Sequence, residues 1–598
     1  MKKYLILLFG ALALTACKNK PEPLKEDAMA KNEAFGTLLN DYHEDGLKLY
    51  PLKATSEGDK RYNDIFMNNL TEDYKAMEKA YYQKYMDALA TIPNTGLSDS
   101  ERMSKAILEW ECNRNLERME FREDLTPINQ MWTVQLTMGH YAGGTSAQPF
   151  KTVKDYENWL KRLDSYVVWM ATAEERMREG IDKGYVLPTS LIKKVVPQLK
   201  TVTTKDLDQH LFFSPVKNFP DDFNDVDKKR LTDAYTAIIN EKIIPAYQKL
   251  YDFMSTEYLA AGRTTSGIEA TPDGKAYYDY SIKLYTTTDI SAEEIHQIGL
   301  DEVKRISKEM EKVKQQVGFD GTLKAFFDYV RNKKELMPFT NPQQVIDNFK
   351  AIHEKMKPQV DQLFDHQPKT PFEIRRTEAF REASASAEYN PGSLDGSRPG
   401  VFYVPIPDVT AYNLYSDEDL FLHEAIPGHH FQISLTQENE DLPKFRKTLW
   451  YSAYGEGWAL YTESLGKELG LYQDPYQYFG MLGAEMHRAV RLVVDTGLHA
   501  KGWTREQAIK YSLDNEAESE DAITSEIERY MANPGQALSY KIGQLKILEL
   551  RARAEKEMGK DFNIKEFHNQ VLETGCVPLA LLEDKINGWI SSIKKGAK

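Results

Sequence analysis

The sequence predicts a mainly α-helical protein with one small β-sheet. Apolar residues recur at spacings of three and four over most of the chain, which is the period of an amphipathic helix. The pattern is nearly continuous from residue 419 to residue 595, whereas strand-like runs are few. With 598 residues, of which 41% are hydrophobic, the chain is long enough to bury a large core.

Helical periodicity also covers much of the chain before residue 400. The predicted helical segments lie within 32–86, from 101 onward, within 156–177 and within 227–254. Ser291 followed by Glu294 forms a capping box, in which each side chain satisfies a free backbone N–H group of the other residue. This pair predicts the start of a further helix.

The clearest strand is 400–404, a run of β-branched and aromatic residues. Pro399 and Pro405 bound it on either side. Because proline cannot donate a hydrogen bond to a sheet, it is found at edge strands and strand ends. We therefore predict that 400–404 is an edge strand.

The Pro- and Gly-rich stretch 390–400 is also the best candidate for a domain boundary. It divides a helical N-terminal part, 31–389, from a part that contains a histidine-rich motif, 390–598. No change of composition marks the division. The alternative is one continuous domain over 31–598.

The first 30 residues predict a lipoprotein signal and a tether. A basic start precedes the apolar stretch 4–14, which is too short to span a bilayer as a helix. Residues 14–17, Leu-Thr-Ala-Cys, resemble a bacterial lipobox, so we expect a signal peptide over 1–16 and diacylglycerol on Cys17. A polar tether over 17–30 follows. An ordinary secretory signal is the alternative.

These features predict a protein held on a bacterial membrane outside the cytoplasm. Lys18 gives no inner-membrane retention signal of the Asp type, so resemblance to Gram-negative sorting favours the outer membrane. In an oxidising compartment Cys112 and Cys576 could pair, but we expect two isolated buried thiols. The formal charge of -15 argues against a nucleic-acid partner, since phosphate binding needs a basic surface.

The strongest chemical signal is His423-Glu424-Ala425-Ile426-Pro427-Gly428-His429-His430, which holds three of the 12 histidines. Imidazoles and a carboxylate are what a zinc ion and its activated water need. The usual pattern is H-E-x-x-H on one face of a helix, and here Pro427 and Gly428 interrupt it.

A regular helix cannot make this motif a metal site. Histidines six apart lie on different faces, and histidines seven apart lie about 10 Å apart along the axis. The motif can bind a metal ion only if Pro427 and Gly428 break the helix and bring His429 beside His423. Glu424 would then be the general base. His430 has two equally good interpretations. It could be a catalytic residue, or it could pack in the core or hydrogen-bond to a metal ligand.

A third zinc ligand is expected downstream, within 452–463. Glu456 follows His429 by 27 residues, and it lies between Gly455 and Gly457 in an apolar and aromatic surround. We predict that Glu456 is the ligand. Glu463, two turns further on the same face, is the reserve ligand or a hydrogen-bond partner of a ligand.

Two further groups of residues carry a possible role in substrate binding. Tyrosine hydroxyls, here Tyr530 and Tyr540, can donate to a developing oxyanion, although most of the 34 tyrosines must be core residues. The other group is formed by charged residues interleaved with apolar ones. The members of this group are Arg488, Arg491, Asp495 and His499, while Arg529 is a separate candidate next to Tyr530. The members of the group could form a buried ion network or anchor a peptide carboxylate, which arginine holds with two bonds.

Taken together, these stretches resemble the bacterial domain-of-unknown-function family 885. The shared stretches are 289–296, 393–400, 423–430, 455–459, 495–499 and 534–537. The family is similar to gluzincin-type zinc metallopeptidases, which include thimet oligopeptidase, angiotensin-converting enzyme and carboxypeptidase Taq. That resemblance implies a large helical, clam-like fold with a deep cleft and a small β-sheet near the active site.

The resemblance also implies roles for individual residues. It implies one Zn²⁺ ion bound by His423, His429 and Glu456, with Glu424 as base and Tyr540 as oxyanion donor. It further implies that the strand 400–404 pairs with a peptide backbone.

The function we expect is a zinc-dependent peptidase that cleaves oligopeptides outside the cytoplasm. Two alternatives remain: a binding lipoprotein without catalysis, and a zinc hydrolase of another amide or ester such as a cell-wall fragment. Glu424 favours an enzyme, because a binding protein has no need of a base. Both exo- and endo-action agree with the sequence.

Overall fold

A computed structural model describes residues 32–144, 146–378, 382, 385–394 and 398–596. The predicted signal peptide, Cys17 and the tether lie outside the described residues, as does 395–397 of the family resemblance. Over the described ranges, no helix has both the length and the apolar character needed to cross a membrane.

The prediction of a mainly helical chain is confirmed. Before the sheet, the α-helices are α1 Glu33–Leu49, α2 Pro51–Ser56, α3 Glu72–Ala90, α4 Asp99–Arg118, α5 Val134–Ala142, α6 Val153–Lys183, α7 Thr189–Thr201, α8 Ser214–Lys217, α9 Asp225–Ile238, α10 Ile244–Phe253, α11 Leu259–Ala261, α12 Gly274–Thr286, α13 Ala292–Gln316, α14 Leu323–Asn332 and α15 Pro342–Leu363. After the sheet they are α16 Asp417–Glu424, α17 His429–Glu438, α18 Lys444–Lys447, α19 Ser452–Ser464, α20 Pro475–Ala500, α21 Arg505–Asn515, α22 Glu520–Ala532, α23 Ser539–Met558, α24 Ile564–Leu572 and α25 Leu579–Gly596.

Local sequence sets several of the helix boundaries. The predicted capping box starts α13: the Ser291 hydroxyl accepts from the Glu294 N–H at 3.3 Å, and the Glu294 carboxylate accepts from the Ser291 N–H at 3.0 Å. The long pattern over 32–86 is divided into α1, α2 and α3. The division follows from Pro51, which starts a new helix because its missing N–H costs nothing in the first turn.

The buried apolar side chains form three clusters. The largest lies around the histidine motif and takes residues from both sides of residue 390, for example Phe35, Phe349 and Trp458. The second joins the N-terminal helices α6, α7, α9 and α10, and the third joins α13 and α14 to α20, α21 and α22. Cys112 and Cys576 are buried and free, so the expectation of two separate thiols is confirmed.

The sheet has three strands, β1 Phe372–Arg376, β2 Glu388–Asn390 and β3 Gly400–Val404, in the order β1-β3-β2. β1 runs parallel to β3, with Phe372 opposite Gly400, and β2 runs antiparallel to β3, with Tyr389 opposite Phe402. Phe402 is fully buried against Phe349.

The prediction that β3 is an edge strand is therefore wrong. Pro399 and Pro405 lie just outside it, so every residue within it keeps its N–H for pairing. The implied pairing of 400–404 with a peptide backbone is wrong for the same reason, because both neighbours of β3 are already taken. The predicted sheet near the motif is confirmed: the ring of Phe372 lies 4.8 Å from the ring of His430.

Candidate metal centre

The histidine motif is divided between two helices. α16 ends at Glu424, four residues form a link that contains a cis Ile426–Pro427 peptide bond, and α17 begins at His429. A Cβ atom on Gly428 would overlap the carbonyl oxygens of Leu422 and His423, so this position admits only glycine. The predicted break in the helix is confirmed, and it is larger than the two-residue bulge that the sequence suggested.

Helix α19 holds both sides of this break. The indole N–H of Trp458 donates to the carbonyl oxygen of Pro427 at 2.8 Å. The hydroxyl of Thr462, one turn further along α19, donates to the carbonyl oxygen of Leu422 at 2.9 Å. Carbonyl groups that the break frees from helical bonding are thereby satisfied.

The break brings His423 and His429 together beside Glu456 of α19. One ligand-type atom from each of the three residues lies within 4.8 Å of the other two. Oε2 of Glu456 is 3.6 Å from Nε2 of His423 and 3.4 Å from Nε2 of His429. The side chains of His423, His429 and Glu456 are 7%, 11% and 15% exposed, so the cluster is largely buried.

These residues fit a zinc ion. Two imidazoles and one carboxylate are the protein donors of several catalytic zinc sites, with bonds of about 2.0–2.2 Å. A tetrahedron with such bonds has edges of about 3.4 Å, close to the two distances from Oε2 of Glu456 to the histidine nitrogens. Nδ1 of His423 lies 2.7 Å from Oε1 of Glu463. Because an ionised carboxylate only accepts, Nδ1 donates and Nε2 is left with a lone pair for the metal.

The histidines and glutamates of the cluster shift one another's pKa values. Burial lowers the pKa of His423, but hydrogen bonds to Glu456 and Glu463 outweigh it and raise this pKa to about 10. Burial likewise tends to raise the pKa of Glu456, and the two histidines bring it well below its usual range. A metal ion that binds here therefore replaces a proton, and binding should weaken as the pH falls.

Glu424 lies next to the triad with a free carboxylate. It is 8% exposed, and within the described part of the chain its carboxylate has no hydrogen-bond partner. Burial raises its pKa, and His423, His429 and Arg488 oppose that shift. A carboxylate with a raised pKa is suited to take up and return a proton near neutral pH.

Tyr540, in the first turn of α23, faces the same region. α19 and α23 run side by side: the hydroxyls of Ser452 and Ser539 are 2.7 Å apart, and the backbones of Gly457 and Gly543 touch, leaving no room for a Cβ atom on either. This contact sets Tyr540 beside Glu456. Burial and then the charge of Glu456 raise the pKa of Tyr540, which keeps its hydroxyl a donor.

Trp450 is a site residue that sequence reasoning missed. Its side chain is 45% exposed, and its ring lies 5.8 Å from the ring of His429. The same ring covers Gly455, where a Cβ atom would overlap it. The available signal was a tryptophan directly before the helix of Glu456, followed by a glycine that makes room for its ring.

Two predicted candidates lie outside the triad and have packing roles. Nδ1 of His430 is 2.9 Å from the hydroxyl of Tyr389, which joins α17 to the sheet, and burial lowers the pKa of His430 to about 4. His499 accepts from the N–H of Ile268 at 2.9 Å and donates to the carbonyl of Tyr530 at 3.1 Å. Both ring nitrogens of His499 are therefore occupied.

An ion network forms around Glu526, but of the charged residues predicted on α20 only Arg491 takes part in it. Glu526 is the centre: it accepts from Tyr530 at 2.6 Å, from Arg491 at 3.1 Å and from Arg529 at 2.8 Å. Asp495 is separate from it and accepts from the Tyr278 hydroxyl at 2.6 Å. Arg488 is different again: its Nε is buried without a partner among the described residues, and its charge acts on Asp419 and Glu424.

Comparison with known proteins gives a family match and several similar solved structures, among them two bacterial proteins. The model of a family described as bacterial protein of unknown function (DUF885) matches residues 51–586. The crystal structure of a candidate lipoprotein from Colwellia psychrerythraea is similar, with a TM-score of 0.85 and 29% identity over 94% of this chain and 99% of that chain. The structure of a candidate lipoprotein of unknown function from Shewanella oneidensis has a TM-score of 0.74 and 19% identity over 92% and 99%. Among curated proteins, none matches the chain.

Proposed function

The chain belongs to the bacterial family of unknown function DUF885, and we propose that this member is a zinc-dependent metallopeptidase that cleaves oligopeptides. The observation that carries the proposal is the convergence of His423, His429 and Glu456, whose ligand-type atoms lie within 4.8 Å of one another. The break in the helix is needed for this convergence, because His423 and His429 would lie on different faces of one regular helix.

The three residues would hold one zinc ion, and Glu463 would fix the ring of His423 through Nδ1. A bound zinc ion supplies Lewis acidity, which lowers the pKa of a coordinated water and polarises a carbonyl group. Every other requirement of the reaction falls on side chains of this chain.

Glu424 would move the proton. Its free carboxylate takes the proton of the attacking water on one oxygen and later gives it to the nitrogen of the leaving amine. Burial raises its pKa, which favours both directions of transfer near neutral pH. The hydroxyl of Tyr540 would donate to the carbonyl oxygen as negative charge develops there.

The surroundings agree with a peptide substrate. Trp450 offers an exposed aromatic face at the edge of the triad. A cavity of about 820 Å³ lies between the N-terminal helices and residues 531–534, and its lining includes Trp132 but none of the triad residues. This volume is sufficient for a short peptide. We also propose that the helical fold is clam-like, with a deep cleft for the substrate.

We extend the proposal to the location of the protein. The two structural relatives are described as candidate lipoproteins, and the sequence of residues 14–17 resembles a lipobox. Both support a protein anchored through lipid on Cys17 outside the cytoplasm, with the outer membrane favoured.

The test combines metal analysis with digestion of a peptide library by the purified protein. We expect one zinc ion per chain and cleavage that is lost in Glu424→Gln, while zinc is retained. Glu468→Gln is the matched control, because this exposed carboxylate pairs with Arg551 away from the triad.

Metal-free protein, or equal cleavage by Glu424→Gln, would overturn the proposal. A zinc hydrolase of another amide or ester would bind zinc but leave the peptide library intact. A binding lipoprotein would retain peptides without cleaving them, in the wild type and in Glu424→Gln alike.

A further inference from the structure

Arg491 on α20 has a buried donor without a partner. Its side chain is 9% exposed, Nε donates to the hydroxyl of Tyr530 at 3.0 Å, and Nη2 donates to Oε2 of Glu526 at 3.1 Å. Nη1 is buried and has no hydrogen-bond partner among the described residues. A buried charged donor that stays unsatisfied is costly, so an acceptor from outside the chain is the simplest explanation.

Charge around Arg491 points to an anionic acceptor. Arg529 also pairs with Glu526, at 2.8 Å, and within the described ranges Glu526 is the only carboxylate that forms an ion pair with either arginine. His487 approaches Glu526 at 3.6 Å but has Glu516 as its own close partner. Two guanidinium groups therefore share one carboxylate, and a second carboxylate would balance the cluster.

The unpartnered donor lies close to the triad. The guanidinium of Arg491 is stacked on the ring of Tyr540, with 4.5 Å between Cζ and the ring centroid. Tyr540 in turn lies beside Glu456 across the close contact of α19 and α23 at Gly457 and Gly543. One aromatic ring thus separates the cationic cluster from the metal ligands.

Arg529 also brings the cluster near the large cavity, although neither Arg491 nor Arg529 is part of its lining. The guanidinium of Arg529 lies 5.9 Å from the ring of Trp132, and both Trp132 and residues 531–534 line the cavity of about 820 Å³. A compartment of peptide size therefore lies one aromatic side chain away from Arg529.

We propose that Arg491 binds the free α-carboxylate of the substrate, which makes the enzyme an exopeptidase that cuts at a fixed short distance from the carboxyl terminus. The proposal rests on the peptidase function proposed above. A guanidinium group matches a carboxylate in shape and charge. An endopeptidase, which acts within a chain, would have no terminal carboxylate to place there.

The test compares N-acetylated pentapeptide libraries with a free carboxylate or a carboxyl-terminal amide. Binding is measured as retention on the immobilised, zinc-loaded Glu424→Gln protein, which does not depend on turnover, and the wild-type products are sequenced by mass spectrometry. We expect about tenfold to hundredfold stronger retention of the free acids, the range of a charge-assisted hydrogen bond, and cleavage at one fixed distance from the carboxylate.

Variants at Arg491 assign the effect to this side chain. Arg491→Gln in the Glu424→Gln background should bind free acids and amides equally, and Arg491→Lys should keep part of the preference because it keeps the charge. Arg505→Gln is the matched control: Arg505 also pairs with α22, through Glu528 at 2.8 Å, and should leave the preference unchanged. A thermal melt of each variant checks folding.

The outcomes separate the two proposals. Cleavage with equal retention of acids and amides would overturn the anchor and leave the peptidase in place, as would cleavage at scattered positions. Loss of the preference in Arg505→Gln as well as in Arg491→Gln would also overturn it. Absence of both cleavage and retention in all libraries would overturn the peptidase function and the anchor with it.

Discussion

Nδ1 of His423 lies 2.7 Å from Oε1 of Glu463, and Glu463 is almost fully buried. The hydrogen bond runs from α16 to α19 across the break in the motif and turns Nε2 of His423 towards Glu456. The two glutamates of α19 therefore have different tasks: Glu456 faces the space between the histidines, and Glu463 orients one of them from behind.

Substitution of the two glutamates should separate these tasks. In Glu456→Gln we expect little zinc to remain, because an amide is a much poorer ligand than a carboxylate. In Glu463→Gln the loss should be smaller, because the amide oxygen can still accept a hydrogen bond from His423. Zinc affinity should fall by about tenfold to hundredfold. Competition with a chromophoric chelator measures both values, with Glu468→Gln as the control. A larger loss in Glu463→Gln would mean that the two roles are exchanged.

The triad could be predicted because its evidence is local. His423, Glu424 and His429 lie within seven residues, and Pro427 shows that a regular helix cannot continue through them. Spacing and composition then indicated Glu456. The helix class and the start of α13 at Ser291 were equally local, since both depend on side chains within one or two turns.

The remaining features depend on contacts between distant residues. The position of β3 depends on β1 and on the three-residue β2, neither of which has a strong strand pattern, so flanking prolines were misread as signs of an edge. The sequence was compatible with two roles for Arg491, a member of a buried ion network or an anchor for a peptide carboxylate. Only the fold reveals that Arg529 shares Glu526 with it and that Nη1 has no partner.

Acid should destabilise the protein through His568, which is not one of the predicted metal ligands. Nδ1 donates to the carbonyl of Leu363 and Nε2 accepts from Tyr461, each at 2.8 Å, so the ring is neutral. Burial lowers its pKa to about 3, whereas in the unfolded chain it is about 6.5. The unfolded state therefore binds more protons between these values. The contribution to stability is complete above about pH 6.5 and is lost as the pH falls towards 3.

The measurement is urea unfolding of the metal-free protein at several pH values between 4.5 and 7.5. Removing this group in His568→Gln should reduce the pH dependence of the free energy of unfolding by up to about 1.4 kcal/mol per pH unit. An unaltered slope in His568→Gln would show that His568 does not cause it.

Trp450→Ala should weaken substrate binding without loss of zinc. The exposed ring lies beside His429 but offers no ligand atom, and an aromatic contact contributes about 0.5–1.5 kcal/mol. We expect KM to rise about threefold to tenfold, with kcat nearly constant. Trp450→Phe keeps an aromatic ring and should therefore keep most of the substrate binding. Tyr329→Ala, at an exposed aromatic residue elsewhere, serves as control. Loss of zinc with unchanged KM would mean that Trp450 supports His429 instead.

Gly428→Ala should damage both the fold and the metal centre. The added Cβ atom would overlap the carbonyl oxygens of Leu422 and His423, which are backbone atoms and cannot rotate away. α17 would have to shift relative to α16 and carry His429 from His423, so we expect a loss of about 1–3 kcal/mol of stability together with weaker zinc binding. Gly483→Ala on α20 is the matched control, because no heavy atom lies within 4 Å of its added Cβ, and alanine should maintain or slightly raise stability there. Urea unfolding and chelator competition measure both variants. Wild-type zinc affinity in a folded Gly428→Ala protein would show that the close approach at Gly428 is not what aligns the two histidines.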